Sequence, residues 1–231
     1  LLKELSSRTL DFIMSFGELF SAYVLSEIIT EVGGDAEFLD ARDLVKTDNS
    51  FGCARVYSER TDQNIKEYFD GRTRMQIATG FIASTFNNET TTLERGGSDY
   101  TASLFARALD ATVIEIWTDV DGIMTADPKK VSGAFPVDAM TYEEAMEMSH
   151  FGAKVLHPPT MLPAVEKKIP IHIRNTFNPE ARGSIITEMP PSSEYSIKGI
   201  SSIDAVSLLR IHGGGMVGIA GIAMRIFNAL S

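Results

Sequence analysis

The chain has 231 residues, 44% of them hydrophobic, enough for one large domain or for one domain and part of another. Twenty-one basic residues against thirty-one acidic ones give a formal charge of −10. That balance excludes a general nucleic-acid surface and requires any anionic ligand to be held by local groups or by a divalent cation. A single cysteine, Cys53, leaves no internal disulfide to form, and the lack of a basic, apolar leader makes the cytoplasm the expected compartment. No apolar run is expected to reach the roughly 18 residues of a membrane span, because Arg210 and His212 interrupt the most hydrophobic stretch.

In chain order, Leu19, Ala22, Tyr23, Ser26 and Ile29 recur at helical spacing before Gly33 and Gly34, which predicts a helix over 15–30. Strand-like runs follow at 36–39, 53–57, 75–79, 112–118 and 169–174, with helical patterns at 65–69, 99–109 and 141–150. The alternation indicates an α/β architecture. Thr141 and Glu144 have capping-box spacing, and Pro158, Pro159 and Pro163 limit the next helix to a short piece. The stretch MPPSSEYS, from Met189, breaks the pattern and suggests a domain boundary; two strand-like runs, 196–200 and 205–211, and a final helix at 217–230 complete the chain.

Two segments carry chemistry. In residues 91–104, TTLERGGSDYTASL, an arginine, two glycines, a serine and an aspartate stand at a helix start. Gly96 and Gly97 let the backbone approach a ligand, the N–H groups opening the helix after Ser98 attract an anion, and Arg95 can grip a carboxylate with two hydrogen bonds. The plain alternative is a glycine turn with Ser98 as N-cap and Asp99 in the first turn. In residues 116–130, IWTDVDGIMTADPKK, a strand runs into a polar loop at the carboxyl edge of a sheet, where open α/β folds bind ligands. Asp121-Gly122 and Asp127-Pro128 are also ordinary turn dipeptides, and an EF-hand is excluded because Ile123 and Met124 fall at its ligand and glycine positions.

Together with SFGELFSA at 15–22 and FGAKVLHP at 151–158, the segments TTTLERGGSDYTA at 90–102 and TDVDGIMTADP at 118–128 resemble the aspartate kinase family. The similarity runs through essentially the whole chain. The tail KGISSIDAVSLLRIHGGGMVGIAG resembles the opening of the family's ACT regulatory region, and its GGGMVG wording is closest to bifunctional aspartokinase/homoserine dehydrogenases. The resemblance implies a three-layer α/β/α amino-acid-kinase-like catalytic domain at 1–190, lacking its N-terminal part, followed at 191–231 by the beginning of an ACT-like α+β regulatory domain. It implies ATP-dependent phosphorylation of the L-aspartate side-chain carboxylate, the first step toward threonine, methionine and lysine. Arg95 would bind a substrate carboxylate, Gly97 and Ser98 would supply backbone and hydroxyl contacts, and Asp99 would sit at the amino group. Glu18 would help to hold the substrate, although Ser15-x-x-Glu18 also has capping-box spacing. Phe81 would line the pocket. Thr118, Asp119, Met124 and Lys129 would bind nucleotide, Lys154 would approach the phosphates, and Mg2+ would enter chiefly through ATP.

The sequence departs from the family at Met124, where many relatives carry tyrosine, and at Glu94, which replaces a glycine. The family's opening Lys-Phe-Gly-Gly-Thr-Ser loop is absent, so this chain by itself is expected to be weakly active or inactive. Partners implied are a threonine or lysine effector and a second copy of the chain, with neither membrane nor nucleic acid. Two other readings stay open. Gly213, Gly215 and Gly218 spell a dinucleotide fingerprint, and the tail could serve as a noncatalytic amino-acid-sensing or assembly module. The histidines have no metal-ligand spacing, so no structural metal is expected.

Overall fold

The computed structural model describes residues 6–150, 157–191, 197–207 and 221–230. The chain opens with α1 (Ser7–Glu31), followed by β1 (Ala36–Leu39), a 3-10 turn (Ala41–Asp43), β2 (Lys46–Thr47), α2 (Ser58–Phe69) and β3 (Met75–Ala78). A hairpin of β4 (Ile82–Thr85) and β5 (Thr90–Thr92) leads into α3 (Gly97–Ala108) and β6 (Ile114–Thr118). Then come β7 (Ala139–Met140), α4 (Tyr142–His150), α5 (Pro158–Glu166), β8 (Ile171–Asn175), β9 (Ser184–Ile186) and α6 (Ile222–Leu230).

The strands form a parallel β1-β3 pair, a β2-β4-β5 sheet, and a sheet of order β6-β8-β9-β7 in which β6 and β8 run parallel, with Thr118 opposite Asn175. This parallel and mixed pairing, with helices packed on the strands, is the α/β architecture expected from the alternating pattern. Ile114, Met140, Met161, Ile171, Ile173 and Ile186 form the core under the last sheet. Ala41, Val45, Ala83, Leu93 and Leu104 form a second core between α3 and the threonine-rich hairpin. α3 packs on α2, α5 and β6, which makes it the connection between the two halves.

Several boundaries depart from the sequence expectation. α1 begins at Ser7, because Ser6 caps it by accepting from Thr9 N at 3.2 Å; Ser15 lies mid-helix and donates to Phe12 O, so it caps nothing. With its true length, α1 is long and apolar enough to cross a membrane, contrary to expectation; here it lies along β1, β3 and β5. The run 53–57 is a loop, because Asp48 takes N–H bonds from Ser50 and Arg55 and curls the chain back, leaving one bridge, Thr47–Val56. Ser98 is not the N-cap of α3; Gly96 is. The capping box at Thr141 and Glu144 does form, with reciprocal bonds of 2.7 and 3.1 Å, and α5 is the short proline-bearing helix anticipated. Residues 197–200 form no strand, and the last helix starts at Ile222; residues 208–211 and 217–220 of the expected elements lie outside the described residues.

Candidate active site

The start of α3 is set by its two glycines. Gly96 has φ +75°, and a Cβ there would lie 2.9 Å from His157 Cβ; a Cβ on Gly97 would lie 2.7 Å from the Phe81 ring and 3.0 Å from Leu93 Cβ. Only glycine allows both the left-handed turn and the close approach. Phe81 itself has φ 64°, a conformation that costs a non-glycine residue about 1–2 kcal/mol. It is held there from both sides: Phe81 N donates to Thr101 Oγ1, whose hydroxyl in turn donates to Gly97 O, and Leu93 N donates to Phe81 O at 2.8 Å. Such backbone strain, held in place by three hydrogen bonds, makes this turn a candidate functional position.

Residues far apart in sequence meet at this turn. The Gly80 backbone N–H lies near the Glu18 carboxylate, on α1, and favours its ionised form. Gly80 abuts Ser98 so closely that a Cβ on it would fall 2.9 Å from both Ser98 Cβ and Oγ. Glu18, Gly80, Phe81, Gly97 and Ser98 therefore share one locality, with Asp99 next in the chain. Burial raises the pKa of Asp99; burial also raises that of Glu18, partly offset by the Gly80 N–H. Arg95 is exposed and makes no ion pair among the described residues; it lines a cavity of about 470 Å³ with Arg55, Tyr100, His157 and Thr160. None of Glu18, Asp99 and Arg95 forms an ion pair among the described residues. Sequence reasoning missed Gly80, whose only signal was the T-G-F turn between a strand and a threonine-rich hairpin.

The second group of predicted residues sits where β6 ends. Thr118 Oγ1 donates to Asp119 Oδ1 at 3.2 Å, and Thr118 O accepts from Thr176 N, so the loops after β6 and β8 are joined at their carboxyl ends. Asp121 braces that edge by accepting from Asn175 and Asn178 side-chain amides. Met124 bridges Pro136, and Lys129 N donates to Asp127 Oδ1 while its side chain is exposed and unpaired among the described residues. The following loop lines a cavity of about 880 Å³ with Thr125, Lys130, Phe135 and Ile200. No hydrogen bond or ion pair among the described residues joins this group to Arg95 or Asp99; α3, running into β6, is what relates them. Lys154 lies outside the described residues. His157 caps α5, as a turn residue before Pro158, with its carbonyl accepting from Thr160 N and Oγ1.

The amino acid kinase family profile matches residues 2–175. The chain is 40% identical over 95% of its length to the chloroplastic bifunctional aspartokinase/homoserine dehydrogenase 2 of Arabidopsis thaliana, and spans 25% of that protein. It is 38% identical over 96% of its length to the lysine-sensitive aspartokinase 3 of Escherichia coli, of which it spans 49%. Among solved structures, E. coli aspartokinase III in complex with aspartate and ADP superposes with a TM-score of 0.77 at 39% identity, over 81% of this chain and 42% of that one. A Bacillus anthracis UMP kinase, 18% identical with a TM-score of 0.53, shares the fold over 78% of this chain and 69% of its own. The fold, the glycine turn and these similarities agree: the chain belongs to the amino acid kinase family.

Proposed function

We propose that the chain is the later part of an aspartate kinase catalytic domain, which moves the γ-phosphoryl group of ATP to the side-chain carboxylate of L-aspartate. A carboxylate oxygen forms the new bond to phosphorus as the bond to the ADP oxygen breaks, and no proton need be removed from the nucleophile. The task of the residues is alignment and charge placement. The observation that carries this reading is the convergence of Glu18, Phe81, Gly97, Ser98 and Asp99 at the opening of α3, beside an unpaired Arg95. Arg95 suits a substrate carboxylate, and Asp99 and Glu18 suit its ammonium group, whose charge would stabilise their ionised forms. The helix N-terminus adds backbone N–H groups for an anion.

Thr118, Asp119, Met124 and Lys129 are read as the nucleotide side, on the carboxyl edge of β6 and β8, with Lys154 completing it. The exposed Lys129 ammonium and the open polar loop fit a phosphate-bearing ligand. Mg2+ is read as entering chiefly with the nucleotide, since it is usually bound through substrate phosphates and one or two carboxylates rather than by an all-protein cage. When bound, Mg2+ neutralises charge on the phosphates. The related E. coli enzyme has been seen with aspartate and ADP and, in its T-state, with lysine and aspartate. An amino-acid effector acting through residues 191–231 is part of the proposal, as are a homodimer and, for the full protein, a fused homoserine dehydrogenase. The proposed compartment is the cytoplasm; the plant relatives are chloroplastic. The dinucleotide-like glycines, Gly213, Gly215 and Gly218, lie outside the described residues.

Calorimetric titration with L-aspartate and with Mg·ATP tests the reading. Saturable aspartate binding that disappears in Arg95→Ala is expected, with nucleotide binding retained. Failure of full-length protein to bind aspartate, or an Arg95→Ala variant that binds it normally, would refute the assignment.

A further inference from the structure

Asp11 belongs to none of the motifs, yet it is 1% exposed and its carboxylate is fully engaged. Oδ2 accepts from Gly52 N at 2.9 Å and from Thr92 N at 3.1 Å, while Oδ1 accepts from Thr92 Oγ1 at 2.7 Å. All three donors are neutral. Burying a carboxylate without a cation is unfavourable unless its oxygens are well satisfied, so the arrangement calls for a reason. Asparagine can keep the two amide bonds through its oxygen and donate its Nδ2 to the Thr92 hydroxyl, whereas alanine removes all three bonds.

The reason lies in what the clamp joins. Thr92 ends β5 opposite Ile82, its carbonyl accepts from Ala54 N, and the next residue, Leu93, donates to the strained Phe81. Leu93 also sets the space in which Gly97 fits, and Arg95 leaves the strand two residues later. On the other side of the clamp, Glu18 follows Asp11 by seven residues on α1, which places the two on one face two turns apart. We propose that Asp11 is a positioning residue: by binding both the amide and the hydroxyl of Thr92 it fixes α1, which carries Glu18, against the strand that launches the Arg95 loop, and so sets the span of the amino-acid subsite. The inference rests on reading that subsite as the aspartate site.

The test uses full-length protein and steady-state kinetics with aspartate and ATP varied separately. Asp11→Ala, which removes all three bonds, is expected to raise the KM for aspartate about ten-fold while that for ATP changes less than about two-fold. Thr92→Val, which removes only the hydroxyl bond, is expected to raise the aspartate KM about three-fold, and Thr92→Ser to restore it. If Asp11→Ala does not fold, the Thr92→Val and Thr92→Ser pair decides alone. A fall in kcat with both KM values unchanged, an equal rise in both, or a Thr92→Ser enzyme as impaired as Thr92→Val would mean that Asp11 only stabilises the fold. A wild-type enzyme that does not phosphorylate aspartate would overturn the kinase reading itself, and this inference with it; the wild-type control separates that case from failure of the positioning role alone.

Discussion

The helices α1 and α3 are built on opposite plans. α3 buries Gly97, Thr101, Ser103, Leu104, Ala106, Arg107 and Ala108 among α2, α5 and the hairpin. α1 buries only Asp11, Ser15, Ala22 and Ser26, and turns Phe12, Ile13, Phe16, Phe20, Val24, Leu25 and Ile28 outward. In α3, packing carries the stability and hydrogen bonds refine it. In α1, small side chains allow a close approach to the strands, and the Asp11 carboxylate ties the helix to Gly52 and Thr92 by hydrogen bonds. Sequence hydrophobicity thus identifies the helix in both cases but identifies the buried face in only one. Arg107 adds a polar feature to the α3 plan, bridging Asp62 of α2 at 2.9 Å and Glu166 of α5 at 3.2 Å.

Truncation of the inner face gives the largest effect that tests this contrast. Leu104→Ala, at a fully buried position, is expected to cost about 2–5 kcal/mol in denaturant unfolding, as large-to-small core changes do. A smaller value would mean that α3 is held chiefly by its polar bonds. Next, Gly97→Ala should cost about 1–3 kcal/mol by forcing the new methyl against Phe81 and Leu93, and should abolish aspartate binding in calorimetry. Normal aspartate affinity in that variant would show that the glycine turn is structural only.

Asp99→Asn is expected to raise the melting temperature modestly while removing aspartate binding. Burial raises the Asp99 pKa, so the folded chain keeps this proton to higher pH than the unfolded chain. The group's contribution to stability therefore falls as pH rises through the raised value, and the gain from asparagine should be larger at pH 7 than at pH 4. A gain independent of pH would remove the electrostatic explanation. Smallest of all, Leu25→Ala on the outward face of α1 is expected to change the stability of this 231-residue chain by less than about 0.5 kcal/mol. Should Leu25→Ala cost as much as Leu104→Ala, the outward face is covered in solution and the contrast between the helices disappears.

The sequence alone located the α/β alternation, the capping box, the helix that begins at the glycine pair, and both chemical loops. These are local facts, fixed by spacing, turn chemistry and helix caps, all of which act over a few residues. The resemblance to aspartate kinases implied roles for residues that no local pattern could relate. Tertiary structure decided the rest. Ser15-x-x-Glu18 has the spacing of a cap, but the upstream Ser6 cap carries the helix past it and leaves Glu18 free to meet Gly80. The run at 53–57 has β propensity, but the Asp48 carboxylate holds it as a loop. The threonine-rich hairpin, which the pattern passed over, is buried along both strands because its hydroxyls find partners, as Thr47 and Thr91 do at 2.7 Å. Which face of α1 turns inward was likewise beyond the pattern, since apolar periodicity favours burying large side chains. Here a buried carboxylate with three donors, drawn from residues about forty and eighty positions away, outweighs that preference. Short-range chemistry determined where the candidate site lies; only long-range packing and hydrogen bonding decided which distant residues come near it.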